Sequence, residues 1–235
     1  MEEPEKSCEF LFFQQHLRPC CFCASTNINN IVCFVWTSFR QGVPDDRKIW
    51  SATAVVNEPY HQTLVNVHKS FLSAGSRAVT TNSYGIVPGV GFSLPQIVQH
   101  VATSARLARE SVGTDHQDAL VLGSLGPLVE SYRPDLILPH EEGTEFYEAM
   151  MEAMNPYIDV FLAETMSCYA ESAQAVDAKS KRKDGKPIMV SYTLDGKGAL
   201  RDGESVSSCL RRLLDFTNEK QVVCKWIVVS LVNGV

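Results

Sequence analysis

The sequence predicts an α/β fold of the (β/α)8 TIM-barrel type, with about six of the βα units present. Three observations lead to it. Apolar runs rich in β-branched residues alternate with stretches whose apolar residues recur every three or four positions, as when strands and helices take turns along a parallel sheet. Successive runs lie about 30–40 residues apart, a spacing that suits barrel units. The chain has 235 residues, whereas eight units normally take roughly 250. With six units legible, the barrel is expected to be incomplete.

The predicted strands, in order, are Ile31–Trp36, Arg77–Ser83, Asp118–Gly123, Asp159–Glu164, Pro187–Thr193 and Gln221–Leu231. Leu64, Val65, His68, Phe71 and Leu72 mark the helix feeding the second strand. Pro59 places its start, because a first helical turn tolerates a missing N–H. Val98, Val101, Ala105 and Ala108 form the stripe of the next helix. Phe146, Ala149, Met150, Ala153 and Met154 form another, and Val206, Cys209, Leu210, Leu213 and Leu214 the last. The basic run Lys179-Ser-Lys-Arg-Lys183 reads as a solvated helix end before a loop, with a targeting or anion-binding patch as the alternative. Residues 1–30 show neither period. They are expected to form a weakly structured extension, leaving 31–235 as a partial barrel domain. Cys20-Cys21-Phe22-Cys23 lies in that extension, and no second Cys/His pair at zinc-finger spacing follows it.

A chain with 45% hydrophobic and 20% charged residues can bury one sizeable core. Its net charge of -6 speaks against a nucleic-acid surface, which needs clustered Lys and Arg. Small-molecule substrates or protein partners fit better. The 8 Cys are unevenly spread in a chain too long to need stapling, which favours reduced thiols and a cytoplasmic setting. The acidic N-terminus with Pro4 is the wrong chemistry for a secretory signal. The apolar stretches Ile31–Trp36 and Val222–Val232 fall short of the roughly 20 residues of a membrane helix, so no membrane partner is expected. Oligomeric state is left open.

In a barrel of this type the reacting groups sit at the C-terminal ends of the strands. Four ends are polar: Thr80-Thr-Asn-Ser-Tyr84, Gly123-Ser124, Glu164-Thr165 and Ser191-Tyr-Thr193. Glu164 closes an apolar run, which places its carboxylate at the barrel mouth, where a substrate ammonium would stabilise it. The alternative is a first-turn or capping Glu for the following helix. Asn82, Ser83 and Tyr84 could orient a substrate carboxylate, or could cap their own loop. Gly123-Ser-Leu-Gly-Pro127 is a turn whose glycines allow close backbone approach. It has neither P-loop nor dinucleotide spacing. His68, on an apolar stripe, reads as a core histidine. Cys168 and Cys209 have no evident metal partner, and no Ser sits in a Gly-x-Ser-x-Gly elbow.

Several ordered motifs carry a family resemblance: Trp50-Ser-Ala, Val67-His68, Ala74-Gly75, Thr80–Tyr84, Gly123–Pro127, Glu164-Thr165 and Lys186–Glu204, the last opening a helix at Arg201-x-Gly-Glu204. From about Thr37 to Leu214 the chain resembles the homocysteine S-methyltransferases, TIM barrels of the kind expected above. The resemblance implies methyl transfer from S-methylmethionine or S-adenosylmethionine, with betaine less favoured, to homocysteine, giving methionine. It implies that Glu164 holds the homocysteine amino group, that Asn82, Ser83 and Tyr84 line the donor side, and that Ser191 stands at a strand end of the site. It also implies zinc held by three Cys. The Gly-Gly-Cys-Cys motif that would supply two of them does not occur in this sequence. Cys224, within the sixth apolar run, is the candidate metal ligand, and Asn233 marks where the first family Cys would follow. Val32 stands where the family carries an Asp. The chain thus reads as stopping before its zinc ligands, either as a truncated enzyme or as a non-catalytic barrel remnant that binds or regulates a partner.

Overall fold

The computed structural model of the chain describes residues 9–12, 42–44, 46, 48, 49 and 52–231, with 9–12 and 225–231 described as backbone. Its strands are β1 (Glu9–Phe12), β2 (Ala78–Thr80), β3 (Leu120–Leu125), β4 (Val160–Met166), β5 (Ile188–Leu194) and β6 (Cys224–Leu231). All pair in parallel, in the order β1-β6-β5-β4-β3-β2. Five of the expected strands therefore occur within their predicted stretches or a few residues beyond them, side by side in chain order, as successive barrel units require. The expected strand Ile31–Trp36 lies outside the described residues. Glu9–Phe12, by contrast, falls in the segment expected to be an extension, yet it pairs with β6 from Glu9↔Trp226 to Phe12↔Val229. Its run Phe10-Leu11-Phe12 is too short to show a period.

The helices are α1 (Thr53–Val56), α2 (His61–Ser73), α3 (Leu94–Val112), α4 (His140–Met154), α5 (Tyr169–Ser180) and α6 (Val206–Glu219). Ser93 and Gln96 close a capping box at the start of α3, with Pro95 in the first turn, where its missing N–H costs nothing. The stripe of α3 is rotated by one residue from the expectation: Ile97, Val101, Ala105 and Ala108 are buried, and Val98 is exposed. Glu58–Tyr60 forms a single 3-10 turn with Pro59 in it, and α2 follows at once. His68 is wholly buried in α2, and burial pushes its pKa down to about 3, so it stays a neutral core residue.

The two sheet faces differ. Val79, Val121, Phe161, Ala163, Ile188, Val190 and Tyr192 join the helices in the main core, whereas Ala78, Leu122, Leu162 and Met189 form a small cluster on the other face. Alternation along the strands then places Thr80, Ser124, Glu164 and Ser191 on that second face, one step toward the C-terminal ends. Gly123 shows how close the helices approach: a Cβ there would lie 2.3 Å from Met154 Sδ. Each fully buried Leu, Met or Phe contributes about 1.5–3 kcal/mol, and Phe161→Ala is expected to cost roughly 3–5 kcal/mol.

At the N-terminal ends of the strands, ion pairs close the floor. Arg109 meets Asp159 at 2.7 Å, and Asp159 also accepts the Val121 N–H. Asp184 lies between Lys179 at 3.0 Å and Arg182 at 2.6 Å, and Arg182 also reaches Glu152. The basic run is thus a helix end, as expected, but only in part a solvated one: Lys179 is buried beneath its partner, while Lys181 and Lys183 are exposed.

Candidate active site

The site is assembled where β3, β4 and β5 end. Ser124 donates to Glu164 Oε1 at 2.5 Å. Burial pushes the Glu164 carboxyl above its ordinary range, opposed by that hydrogen bond. Among the described residues no cation pairs with it. Glu164 lies within β4, and the following helix is capped at Cys168, so the capping reading does not hold. Ser191 is buried on the same face of the neighbouring strand, in register with Val228 of β6.

β4 bends at this point. Its register with β5 shifts between Ala163 and Met166, and Thr165 adopts φ +65°, a left-handed conformation that a β-branched residue rarely takes. The bulge kinks β4 just beyond Glu164, before Met166 pairs again with Tyr192 of β5.

The three residues expected after β2 divide their roles. Ser83 is wholly buried, donates to the Ser124 carbonyl at 2.7 Å and bonds Thr81 Oγ1 at 2.8 Å. Thr81 Oγ1 in turn accepts the Ser124 N–H at 2.9 Å. This pair braces Ser124, which presents its hydroxyl to Glu164. Tyr84 approaches the site itself: its hydroxyl bonds Ser131 at 2.6 Å, and burial first, then the nearby Glu164 carboxylate, keeps the phenol protonated. Gly126 permits that approach, since a Cβ there would lie 2.6 Å from Tyr84 O. Asn82 is buried beside them.

Cys224 is not brought to this rim. It opens β6 in register with Ile188 at the start of β5, the opposite end of the strands from Glu164. Cys168 and Cys209 are buried thiols, each pushed up to about 11 by burial. Among the described residues no group of three or more His, Cys, Asp or Glu could hold a metal ion.

Two features were not read from sequence. Glu171, in the first turn of α5, is 3% exposed, and burial pushes its carboxyl up to about 7 while the Ser167 N–H donates to it at 2.7 Å. Arg201 lays its guanidinium 5.0 Å from the Tyr132 ring centroid and donates its backbone N–H to Ser167 O at 3.1 Å. A charged Glu three residues after a strand-end Cys is the signal for Glu171, but Cys is not a usual N-cap.

The fold is thus a parallel α/β sheet of barrel type, with a carboxylate held at its C-terminal rim. The chain matches the model of the homocysteine S-methyltransferase family over residues 36–233 and belongs to that family. Its fold is that of the homocysteine methyltransferase MmuM from Escherichia coli. The metallated form of that enzyme is 20% identical with a TM-score of 0.69, covering 84% of this chain and 81% of that one. The oxidized form is 23% identical with a TM-score of 0.67, covering 80% and 68%, and the apo form is 22% identical with a TM-score of 0.61, covering 82% and 68%. No curated protein matches the chain. Among the described residues no helix is long and apolar enough to cross a membrane.

Proposed function

We propose that this member of the family transfers a methyl group from a sulfonium donor, S-methylmethionine or S-adenosylmethionine, to homocysteine, giving methionine. The observation that carries this is Glu164, a carboxylate pushed up by burial, held by one Ser hydroxyl and facing no cation among the described residues, at the rim where barrel enzymes react. An amino-acid ammonium is the missing partner. It would make a charge-assisted hydrogen bond to Oε2 while Ser124 holds Oε1.

With the amino group fixed, the homocysteine sulfur attacks the donor methyl carbon in line. A new S–C bond forms as the donor S–C bond breaks; its electron pair returns to the sulfonium sulfur, and the thiol proton leaves to solvent. The protein's contribution is orientation and exclusion of water. Tyr84, neutral and held by Ser131, offers an aromatic face and a phenol to the cationic donor. Asn82 and Ser191 complete the rim, and Ser83 acts through Ser124. The zinc implied by family resemblance finds no ligand set among the described residues, and no step above runs through it. Free thiols at Cys168, Cys209 and Cys224 suit a cytoplasmic enzyme.

Glu164→Gln tests the reading. Homocysteine affinity should fall by about 1.5–3 kcal/mol in calorimetric titration, with the melting temperature maintained or raised because a desolvated charge is gone. Unchanged affinity in the folded variant would remove Glu164 from the site.

A further inference from the structure

We propose that Glu171 is a positioning residue for this site: its buried carboxyl fixes the turn into which β4 runs just beyond Glu164, without touching substrate. The inference rests on the functional reading above only for what the turn presents. The clamp itself is geometric.

Ser167 is gripped from two sides. Its N–H donates to Glu171 Oε2 at 2.7 Å, and its carbonyl accepts the Arg201 N–H at 3.1 Å. Arg201 in turn lies over the Tyr132 ring. One chain of contacts therefore ties the turn between β4 and α5 to α5 itself, to the loop between β5 and α6, and to the loop after β3. Glu164 stands near the end of β4, and only the left-handed Thr165 and then Met166 separate it from Ser167. A conformation of that kind persists only where its surroundings over-determine it, and the grip on Ser167 supplies the constraint two residues away.

Capping α5 alone would not call for a buried acid. A Ser or Asp at the N-cap satisfies a helix start at lower cost, whereas Glu171 reaches back past the N-cap Cys168 to the peptide before it. Among the described residues it forms no ion pair. The titratable groups facing it are Tyr147 from α4 and Cys168 from its own turn, with Asp202 of the β5–α6 loop acting on Cys168. Its partner is the turn.

The test compares Glu171→Ala with Glu171→Gln in the full chain, following amide hydrogen exchange over residues 164–168, homocysteine affinity and thermal unfolding. Ala should raise exchange in the turn and weaken homocysteine binding by about tenfold, while Gln, which keeps an acceptor for the Ser167 N–H, should restore both to within about threefold. Glu171→Asp, which draws the acceptor back by one methylene, takes the place of Ala if Ala does not fold. The proposal is overturned if the shortened variant melts lower yet keeps turn protection and affinity, or if Gln behaves as Ala does. Failure of the wild-type chain to bind homocysteine would sink the functional reading alone, and exchange would still decide the clamp.

Discussion

The two ends of the sheet handle charge in opposite ways. At the floor, burial works against ionised Asp184, but hydrogen bonds from Arg182 and Lys179 outweigh it and hold the carboxyl below its ordinary range. At the rim, Glu164 and Glu171 are pushed the other way by burial, and neither has a cation among the described residues. Thr80 Oγ1, Ser167 Oγ and Arg201 Nε are also buried there without a hydrogen-bond partner, as Asn155 Oδ1 is at the floor. At the floor the buried Lys179 meets its counter-charge in Asp184. The rim's arrangement costs stability; at Glu164 a ligand ammonium would supply the missing charge, whereas at Glu171 the carboxyl holds the turn through the Ser167 N–H.

The largest loss of stability should come at the floor. Asp184→Ala leaves the Lys179 ammonium, 6% exposed, without its counter-charge, and removal of one partner from a buried pair costs about 3 kcal/mol or more. Urea unfolding should show that loss while homocysteine affinity stays unchanged. A loss below about 1 kcal/mol would make the Lys179 pair no stronger than a surface bridge.

Floor and rim should respond to pH in opposite directions. Burial raises the folded pKa of Glu171 to about 7 from an ordinary 4.5, so its contribution to stability is fully present below 4.5 and is lost as pH rises through 7. Up to about 3 kcal/mol is at stake. Asp184 has a depressed folded pKa, so its contribution is present above the ordinary carboxylate range and is lost as pH falls through the folded value. Stability measured between pH 5 and 8 should therefore decline less steeply in Glu171→Gln than in the wild type. Parallel profiles for the two proteins would show that Glu171 does not titrate in this window.

The floor and rim were unequally legible in the sequence. Strand order and the Glu164 rim position followed from apolar runs ending in polar residues, because side-chain alternation fixes which residue faces inward once the strand end is known. The helix α5 gave no stripe, since Glu171, Ser172, Ala173, Gln174, Ala175, Val176, Ala178 and Lys179 are all buried, and a helix covered on most sides has no polar face to set the period. Its missing stripe hid both the Lys179 pair and the Glu171 clamp. The bulge at Thr165 was equally silent, as nothing in Glu-Thr distinguishes a left-handed residue from an extended one. The inverted placement of Cys224 came from reading a strand's composition without its direction.

The smallest expected effect isolates that bulge. In an ordinary strand, Gly is less stable than Ala by about 0.5–1 kcal/mol, because the unfolded chain gains freedom. A left-handed residue reverses the order, since a Cβ there is strained by about 1–2 kcal/mol. Thr165→Gly should therefore be more stable than Thr165→Ala by a few tenths to about 1 kcal/mol; both lose the Thr hydroxyl that faces Tyr84, so that contact cancels. At Ala163, two residues earlier on the same strand, Gly should be less stable than the native Ala, and the loss should be larger for a wholly buried side chain. Paired thermal melts measure both differences. If Gly is also the less stable at 165, the strain is absent, and the rim's cost then lies in its unmatched carboxylates alone.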